Sequence, residues 1–485
     1  MNRRRIPMLL VSVAALGLVG LAARDTEPSA LATFATVGEP WMPAAVPPGD
    51  LTTTWFCPGV PATGAAGVGG AVVVANDGAE SMEARVTLFA GPDNAVEQSL
   101  TIGPYSRSSI DVSGAITAPF VSAMVEILGG GGLVEQQAQS PAGDSAAVSV
   151  AACTTRTSDE WYVAEGFTAG GSVEQLVLTN PYDEVAIVDI GFATATGPRQ
   201  PQQLQGRPVA PRSVEVIDLA EIAARDEAEV AVNVRATFGA LIVGRAQVWQ
   251  GDGRLGFGVS MAAPALRSQW WFADGDKGAG VTERYSLYNP TEDDVEVQPT
   301  FLGIAEGTDL IDPIIVPARR VVTYSPDEIA SLVDGRHAVV FGTTDQSQSI
   351  AVEQVITRTI GQIPTTAAVL GAVTRPEDGA VADTWTMAIG VSEPTEDAVI
   401  VYNIDAVDSV VSVEAVTPAG VVTVPSLAAV TLPPGGLISI PLVDPEVLDR
   451  QLIVRATSRV FVERSLPREP GAAGRVGSWA MPSLG

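Results

Sequence analysis

Histidine is the scarcest residue in this sequence that could carry out chemistry. The chain of 485 residues contains a single one, His337. Nucleophilic catalysis of the Ser-His-Asp or Cys-His kind would have to use it, and no Gly-x-Ser-x-Gly nucleophile motif accompanies it. We therefore expect His337 to lie on the surface or at a strand edge, and we predict that the protein is not an enzyme.

Carboxylates are plentiful, with 56 Asp and Glu against 28 Lys and Arg, so a pair of acids for glycoside hydrolysis has to be considered. Glu135, Glu353 and Glu463 hold equivalent positions in related strands, and Arg245 holds the fourth. A catalytic pair must converge on one cleft, and copies in separate repeats would not. We predict that these side chains form the solvent-facing half of alternating strands.

The two cysteines, Cys57 and Cys153, are too few for a zinc site, and they lack the Cys-x-x-Cys spacing of a redox pair. In an exported chain an even number of cysteines indicates a disulfide. We predict one between Cys57 and Cys153, which stabilises the fold by roughly 4–5 kcal/mol in the chain-entropy model.

Acidic turns and unrepeated tryptophans are the remaining candidates for binding. Carboxylates at residues 183–184 and 292–294 follow the asparagine that ends a strand; calcium is one interpretation and ordinary turn chemistry the other. We favour the turn and predict no metal and no cofactor. Among the unrepeated tryptophans, Trp249 at a hairpin tip and Trp271 are possible ligand contacts, since exposed aromatic rings stack on sugars or anchor proteins.

A fourfold internal repeat positions all of these residues. Each copy opens on a tryptophan in an aromatic strand and later reaches an asparagine at the end of an apolar strand. A proline-led strand and a closing pair of strands follow, and we expect the opening tryptophans to be core residues. The paired markers are Trp55 and Asn76, Trp161 and Asn180, Trp270 and Asn289, and Trp385 and Asn403.

Within a repeat, short β-rich runs separated by turn residues are typical of a sandwich of about 100 residues. We predict an all-β fold: a tandem array of four immunoglobulin-like β-sandwich repeats after an N-terminal signal or anchor helix, with the sandwiches strung in a row. A propeller is the alternative. Three repeats are expected to insert a helical turn, at residues 218–223, 326–332 and 444–448. The repeats span residues 51–158, 159–267, 268–382 and 383–485.

These markers resemble an uncharacterised family of secreted or membrane-anchored proteins from high-GC Gram-positive bacteria, with tandem Trp-aromatic-x-x-x-Gly and Leu-x-Leu-x-Asn-Pro units. The resemblance covers about residues 50–485 and is clearest in repeats 2 and 3, where Asn180 and Asn289 precede proline. Repeat 4 departs from it, with Ile404 in place of the proline. The family has no assigned chemistry, so the resemblance implies fold and location and transfers no catalytic residue.

The N-terminus predicts export, because three arginines at residues 3–5 precede an apolar run over residues 6–23. Residues 1–23 are therefore expected to be a signal peptide or an N-terminal membrane anchor, and residues 24–50 a spacer. Everything beyond is predicted to be extracytoplasmic, either secreted or anchored to the outer face of the cytoplasmic membrane.

The net charge of −28 repels phosphate backbones, which makes nucleic acid a poor partner. The membrane is expected to be a partner only through the N-terminal segment. The sequence predicts a non-enzymatic envelope protein that is a structural or binding scaffold, with an envelope protein or a cell-wall glycan as its partner. The alternatives are a cell-wall carbohydrate-binding protein and, less favoured, a carboxylate-dependent glycan-active enzyme.

Overall fold

The computed structural model describes residues 43–45, 48–142, 145–222, 224–304, 311–360, 363–373, 382–390, 397–467 and 475–483. The predicted signal or anchor at residues 1–23 and most of the predicted spacer lie outside this part of the chain. Within it, no helix has the length and apolar character needed to cross a membrane.

Repeat 1 forms two antiparallel sheets, as its Val- and Ala-rich strands and Gly- and Asn-rich turns predict. Its strands are β1 (Pro48–Phe56), β2 (Val60–Ala62), β3 (Gly69–Asn76), β4 (Met82–Phe89), β5 (Ala95–Ile102), β6 (Ser106–Asp111), β7 (Ala118–Gly130), β8 (Leu133–Ala142) and β9 (Ser145–Ala152). One sheet has the order β1-β7-β4-β5, with β2 beside β7, and the other has the order β6-β3-β8-β9.

Repeat 2 has the same plan in its two sheets. Its strands are β10 (Glu160–Val163), β11 (Val173–Asn180), β12 (Ala186–Thr194), β13 (Gly197–Arg199), β14 (Arg207–Val209), β15 (Ser213–Asp218), β16 (Val230–Phe238), β17 (Ile242–Gly251) and β18 (Arg254–Met261). The sheets have the orders β10-β16-β12-β13, with β14 beside β12, and β15-β11-β17-β18.

Repeat 3 follows with eight strands in the same two orders. They are β19 (Gln269–Lys277), β20 (Val281–Asn289), β21 (Val295–Leu302), β22 (Ile314–Val316), β23 (Arg320–Tyr324), β24 (Gly335–Thr343), β25 (Ala351–Ile360) and β26 (Ile363–Leu370). The sheets are β19-β24-β21-β22 and β23-β20-β25-β26.

Repeat 4 differs because one long strand passes through both sheets and joins them. Its strands are β27 (Ala382–Met387), β28 (Ala398–Asn403), β29 (Ser409–Thr417), β30 (Gly420–Thr423), β31 (Val430–Leu432), β32 (Leu437–Pro441), β33 (Leu452–Pro467), β34 (Arg475–Trp479) and β35 (Met481–Pro482). The 16 residues of β33 pair with β27 and β29 in one half and with β28 and β34 in the other. The predicted all-β fold with tandem repeats is confirmed.

A single helical turn follows the proline-led strand in all four repeats, whereas we expected it in three. Repeat 1 also has one, and Asp111 precedes it at the end of β6 as Asp218 precedes the turn of repeat 2 at the end of β15. The four turns are Val112–Ala115, Leu219–Ile222, Pro326–Glu328 and Pro445–Val447, and further 3-10 turns are Ala169–Gly171, Gln202–Leu204 and Pro425–Leu427.

The opening tryptophans are core residues, as predicted. Trp55, Trp161, Trp270 and Trp385 are at most 1% exposed. A buried indole N–H needs an acceptor, and three of the four indoles donate to a backbone carbonyl. The acceptor residue lies just before β17 in repeat 2, just before β25 in repeat 3 and within β33 in repeat 4. These bonds are Trp161 to Leu241 (3.1 Å), Trp270 to Ile350 (2.8 Å) and Trp385 to Val460 (3.0 Å).

The strand-ending asparagines organise the turns, which confirms the turn interpretation. In repeat 3, Oδ1 of Asn289 accepts from the N–H of Thr291 at 3.0 Å, and Nδ2 donates to the carbonyl of Asp293 at 2.8 Å. Nδ2 also reaches the carbonyl of Val316 at 3.0 Å. Asn76, Asn180 and Asn403 make the equivalent bonds.

The predicted disulfide is confirmed: Cys57 and Cys153 are bonded and buried. Cys57 directly follows β1 and Cys153 directly follows β9, so the bond joins the beginning of repeat 1 to its end across the two sheets. It closes a segment with a sequence separation of 96, which restricts the unfolded chain strongly.

The four sandwiches close into a ring instead of standing in a row. The last strands of the second sheets contact one another in a cycle, β9 with β18, β18 with β26, β26 with β34, and β34 with β9. Repeat 1 also contacts repeat 4 where Arg107 donates to the carbonyl of Ala388 at 3.1 Å. The N–H of Ala45, at the end of the predicted spacer, donates to the carbonyl of Pro482 at 2.8 Å. The prediction of separate sandwiches strung in a row is therefore wrong.

Candidate functional site at the junctions between repeats

In each repeat, the residue four positions after the opening tryptophan has a buried backbone N–H and C=O. These residues are Gly59, Glu165, Asp274 and Ile389. In three repeats the first strand has ended there, and in repeat 3 the pairing of β19 shifts register between Phe272 and Gly275. The backbone groups of these residues therefore lack the hydrogen bonds that a regular pair of strands supplies. Because they are buried, they need other hydrogen-bond partners.

The carbonyl of each of these residues accepts a hydrogen bond from a side chain of its own repeat. The donor comes each time from the strand of the second sheet that pairs with the asparagine-ended strand, at the residue that faces the fourth position before the asparagine. The pairs are Gln136 with Gly59 (2.7 Å), Arg245 with Glu165, Gln354 with Asp274 (3.3 Å) and Arg464 with Ile389 (2.9 Å).

In repeats 2, 3 and 4, the N–H of the same residue donates to a carboxylate of the next repeat around the ring. Oε2 of Glu353 accepts from Glu165 at 2.7 Å, and Oε2 of Glu135 accepts from Ile389 at 2.8 Å. Oε2 of Glu463 accepts from Ala273 at 2.8 Å and from Asp274 at 3.2 Å. We call these three acceptors, Glu135, Glu353 and Glu463, the latch carboxylates.

The latch carboxylates and Arg245 were predicted to face solvent, and that prediction is wrong. Glu135 and Glu353 are 0% exposed, Glu463 is 1% exposed and Arg245 is 2% exposed. Side chains along these strands do alternate between the sandwich core and the opposite face, but the neighbouring repeat covers that opposite face. The side chains that should point to water point into a junction.

The junction between repeats 1 and 2 is built differently, because Gly244 stands at the latch position of repeat 2. The prediction that Arg245 holds that position is wrong by one residue: the strand register makes Arg245 equivalent to Gln136, Gln354 and Arg464. The N–H of Gly59 donates to Oε1 of Gln136 in its own repeat at 3.0 Å. Beside Arg245, a Cβ on Gly244 would lie 2.3 Å from the carbonyl oxygen of Pro58, so the chains approach closely there. Arg245 turns towards Glu353 instead, with 2.9 Å between Nη1 and Oε2.

The junction between repeats 2 and 3 collects several buried charges. Glu165 pairs with Arg254 at 3.1 Å, and Ser286 of repeat 3 donates to its other oxygen at 2.6 Å. Glu174 is 0% exposed, and neither of its oxygens has a hydrogen-bond partner among the described residues. Burial raises the pKa of Glu174 well above its usual value against the attraction of Arg245.

At the junction between repeats 4 and 1, Oε1 of Glu135 lies 3.3 Å from Nη2 of Arg464. Burial raises the pKa of Glu135, and the positive charge of Arg464 and the N–H of Ile389 act in the opposite direction. Glu353 has the same balance, since burial raises its pKa and Arg245 opposes the rise. Both carboxylates therefore have an arginine to compensate their charge.

At the junction between repeats 3 and 4, Glu463 has carboxylates as its neighbours. Burial and the charge of Asp274 raise the pKa of Glu463 to about 8, against the two backbone N–H groups that it accepts from. Asp274 is hydrogen-bonded to Ser465 of repeat 4 and paired with Arg336 of its own repeat.

His337 lies in the same region and is 0% exposed, so the prediction of a surface or strand-edge position is wrong. Its Nε2 lies 3.1 Å from Oε2 of Glu283. Burial lowers the pKa of His337, but the charge of Glu283, the hydrogen bonds to Glu283 and to the carbonyl of Gly335, and the charge of Asp276 together raise it above its ordinary value. The ring occupies space left by Gly275, where a Cβ would lie 2.6 Å from Nε2, and it packs edge-on against Phe301.

The predicted ligand contacts, Trp249 and Trp271, lie at different places in the ring. Trp249 is 1% exposed and packs with Phe167 and Ala169. Trp271 is half-buried, with its ring centroid 5.9 Å from that of Tyr402 in repeat 4. Contact of either with a ligand stays a prediction.

A cavity of about 40 Å³ lies among the last strands of the second sheets and is lined in part by Ser149, Arg245, Trp249 and Trp479. That volume corresponds to about three water molecules. The structure therefore places Trp249 against a small pocket.

The acidic turns that could have held calcium have other contacts. Glu292 accepts from Nε of Arg319 at 2.9 Å, and Oδ1 of Asp294 accepts from the N–H of Ala318 at 2.9 Å. No group of three or more His, Cys, Asp or Glu residues suited to a metal ion occurs in the described ranges.

Sequence reasoning missed the residues that complete the junctions. Glu174 and Glu283 both lie six residues before the strand-ending asparagine, and Asp397 holds the same position in repeat 4. All three are at most 1% exposed. Aligning the repeats on the asparagine would have revealed this second acidic position.

Comparisons with known proteins give a family match and matches to solved structures. Residues 128–265 match a family of unknown function (DUF5719), a segment from the end of β7 through all of repeat 2. No curated protein matches this chain. Among solved structures it is similar to a tetra-tandem repeat in the extending region of a large adhesion protein, at 14% identity over 84% of this chain and 94% of that one. The TM-score of 0.11 is too low to carry an argument.

Proposed function

We propose that this protein is a non-enzymatic scaffold of the cell envelope, in which a ring of four β-sandwiches presents surface loops to a partner. The observation that carries the proposal is that the latch carboxylates bind neighbouring repeats to one another. Each accepts hydrogen bonds from the backbone of the neighbouring repeat and is at most 1% exposed. The side chains with the best claim to acid catalysis therefore hold the ring together.

A location outside the cytoplasm fits the disulfide between Cys57 and Cys153, because structural disulfides persist in oxidising compartments. The basic and apolar N-terminal segment would deliver the chain there, as a secreted or an anchored protein. Fractionation of the producing cells tests this part: the protein should be found in the envelope or the medium, and a cytoplasmic pool with reduced cysteines would contradict it.

A protein partner is favoured over a glycan because of where the aromatic side chains lie. A sugar platform needs exposed rings, whereas Trp249 is buried and Trp271 is half-covered beside Tyr402. The chain has a net charge of −28 and carries single exposed apolar side chains such as Phe238, at the end of β16, which is 52% exposed. An acidic protein with isolated exposed apolar side chains suits a protein surface that is basic at its rim.

The test is co-sedimentation of the purified protein, without its predicted signal segment, with envelopes isolated from the producing organism. We expect saturable binding that weakens in high salt, disappears after the envelopes are treated with protease and survives enzymatic removal of glycans. Binding to protein-free wall polysaccharide would support the carbohydrate-binding alternative instead.

The same incubation tests for enzymatic activity. Soluble fragments released from the envelopes are analysed by mass spectrometry, with heat-denatured protein as the control. We expect no fragment above the control. Glycan release that is lost on Glu353→Gln would contradict the scaffold proposal.

A further inference from the structure

The three latch carboxylates make the same kind of contact and differ in their counter-charges. Glu135 lies 3.3 Å from Arg464, and Glu353 lies 2.9 Å from Arg245. In the part of the chain that the structure describes, Glu463 takes part in no salt bridge, and its Oε1 has no hydrogen-bond partner. An ionised carboxylate with no cation is costly to bury.

The surroundings of Glu463 are rich in titratable groups that are already paired with one another. Arg358 lies 3.2 Å from Asp276, and the Oη of Tyr285 donates to Glu283. The ion pairs of Asp274 and Glu283 described above occupy Arg336 and His337. Titratable and charged side chains at this junction include Asp274, Asp276, Glu283, Tyr285, Arg336, His337 and Arg358 of repeat 3, and Asp397 and Arg464 of repeat 4. The same strands also carry Lys277, Arg284, Glu353 and Tyr402.

We propose that the interface between repeats 3 and 4 is a pH-sensitive latch of the ring, closed while Glu463 is neutral and loosened when Glu463 ionises. The neutral carboxyl still accepts from Ala273 and Asp274 through its carbonyl oxygen. The ionised carboxylate adds a negative charge beside Asp274 and Glu283. Glu135 and Glu353 remain paired with Arg464 and Arg245, so the hydrogen bonds that they accept from the neighbouring repeats persist.

The direction of the pH effect follows from the pKa of Glu463, which burial and Asp274 raise to about 8. A carboxyl whose pKa is higher in the closed ring than in an open one stabilises the closed ring fully at low pH, and this stabilisation is lost as pH rises through about 8. The raised pKa of His337 acts in the same direction. The latch therefore weakens on the alkaline side.

The test is amide hydrogen exchange of the purified protein between pH 6.5 and 9, corrected for the intrinsic base catalysis of exchange. The reporting amides are Ala273 and Asp274, and the internal reference amides are Glu165 and Ile389. We expect protection at the reporting amides to fall about tenfold or more over this range, and at the reference amides to stay constant. Equal behaviour of the four amides would overturn the proposal.

Two glutamine variants separate ionisation from packing. Glu463→Gln keeps an acceptor for both N–H groups and cannot ionise, so its reporting amides should show constant protection from pH 6.5 to 9. Glu353→Gln, at the equivalent position, should lower the Tm at every pH and leave the alkaline loss at Ala273 and Asp274 in place. An alkaline loss that persists in Glu463→Gln would overturn the proposal. If Glu463→Gln does not fold, the wild-type comparison of reporting and reference amides decides.

Discussion

Glu135, in the first repeat, accepts a hydrogen bond at 2.8 Å from the N–H of Ile389, which lies 254 residues further along the chain in the last repeat. The bond is equivalent to those that join repeats 2 and 3 and repeats 3 and 4. A contact that repeats between neighbours in the chain therefore also joins its two ends. This relationship makes the four sandwiches one closed structure.

Removing the carboxylate that closes the ring should destabilise the whole protein. Glu135→Ala removes the carboxylate 3.3 Å from the buried guanidinium of Arg464 and the acceptor of the N–H of Ile389. We expect a loss of about 3–5 kcal/mol in the free energy of unfolding, measured by urea denaturation. Glu126→Gln, which breaks an ion pair with the exposed Arg85, is the control and should change little. Equal effects of the two substitutions would argue against ring closure.

The junction between repeats 1 and 2 depends on close approach of two backbones. Gly244→Ala would place a Cβ 2.3 Å from the carbonyl oxygen of Pro58, so the repeats must separate. We expect a loss of about 1–3 kcal/mol by denaturation. Gly342→Ala is the matched control, because a Cβ there meets nothing within 4 Å. A stable Gly244→Ala variant would show that this junction is looser than described.

The strand-ending asparagines should be sensitive to substitution because each one pairs with the backbone of its own turn. Asn289→Ala removes the side chain that accepts from Thr291 and donates to Asp293 and Val316. Leaving these buried groups unpaired should lower the Tm and cost about 1–3 kcal/mol, measured by calorimetry. Added calcium should not change the Tm of the wild-type protein. A calcium-dependent rise that Asn289→Ala abolishes would restore the calcium interpretation.

The disulfide should stabilise repeat 1 and, through the ring, the rest of the chain. Replacing both Cys57 and Cys153 by serine should lower the free energy of unfolding by about 2–5 kcal/mol. Treatment of the wild-type protein with a reductant in mild denaturant should give the same loss, monitored by tryptophan fluorescence. A double variant as stable as the wild type would contradict this role.

The features that recur inside each repeat could be predicted from the sequence. The buried tryptophans, the asparagine turns and the Cys57–Cys153 pair depend on periodicity and composition, which one sequence displays. The burial of Glu353 could not be predicted. Alternation shows that its side chain points away from the core of its own repeat, but it does not show that another repeat covers that face. His337 is similar: its buried position depends on space left by Gly275 across the β19–β24 pair, a relationship that only the fold reveals.

Small-angle X-ray scattering of residues 43–485 tests the closed ring most directly. A compact particle of this length should have a radius of gyration of about 22 Å, and Glu135→Ala should give a larger value as the ends separate. Scattering typical of a rod, with a much larger radius of gyration that Glu135→Ala leaves unchanged, would contradict the ring and return the four sandwiches to a row.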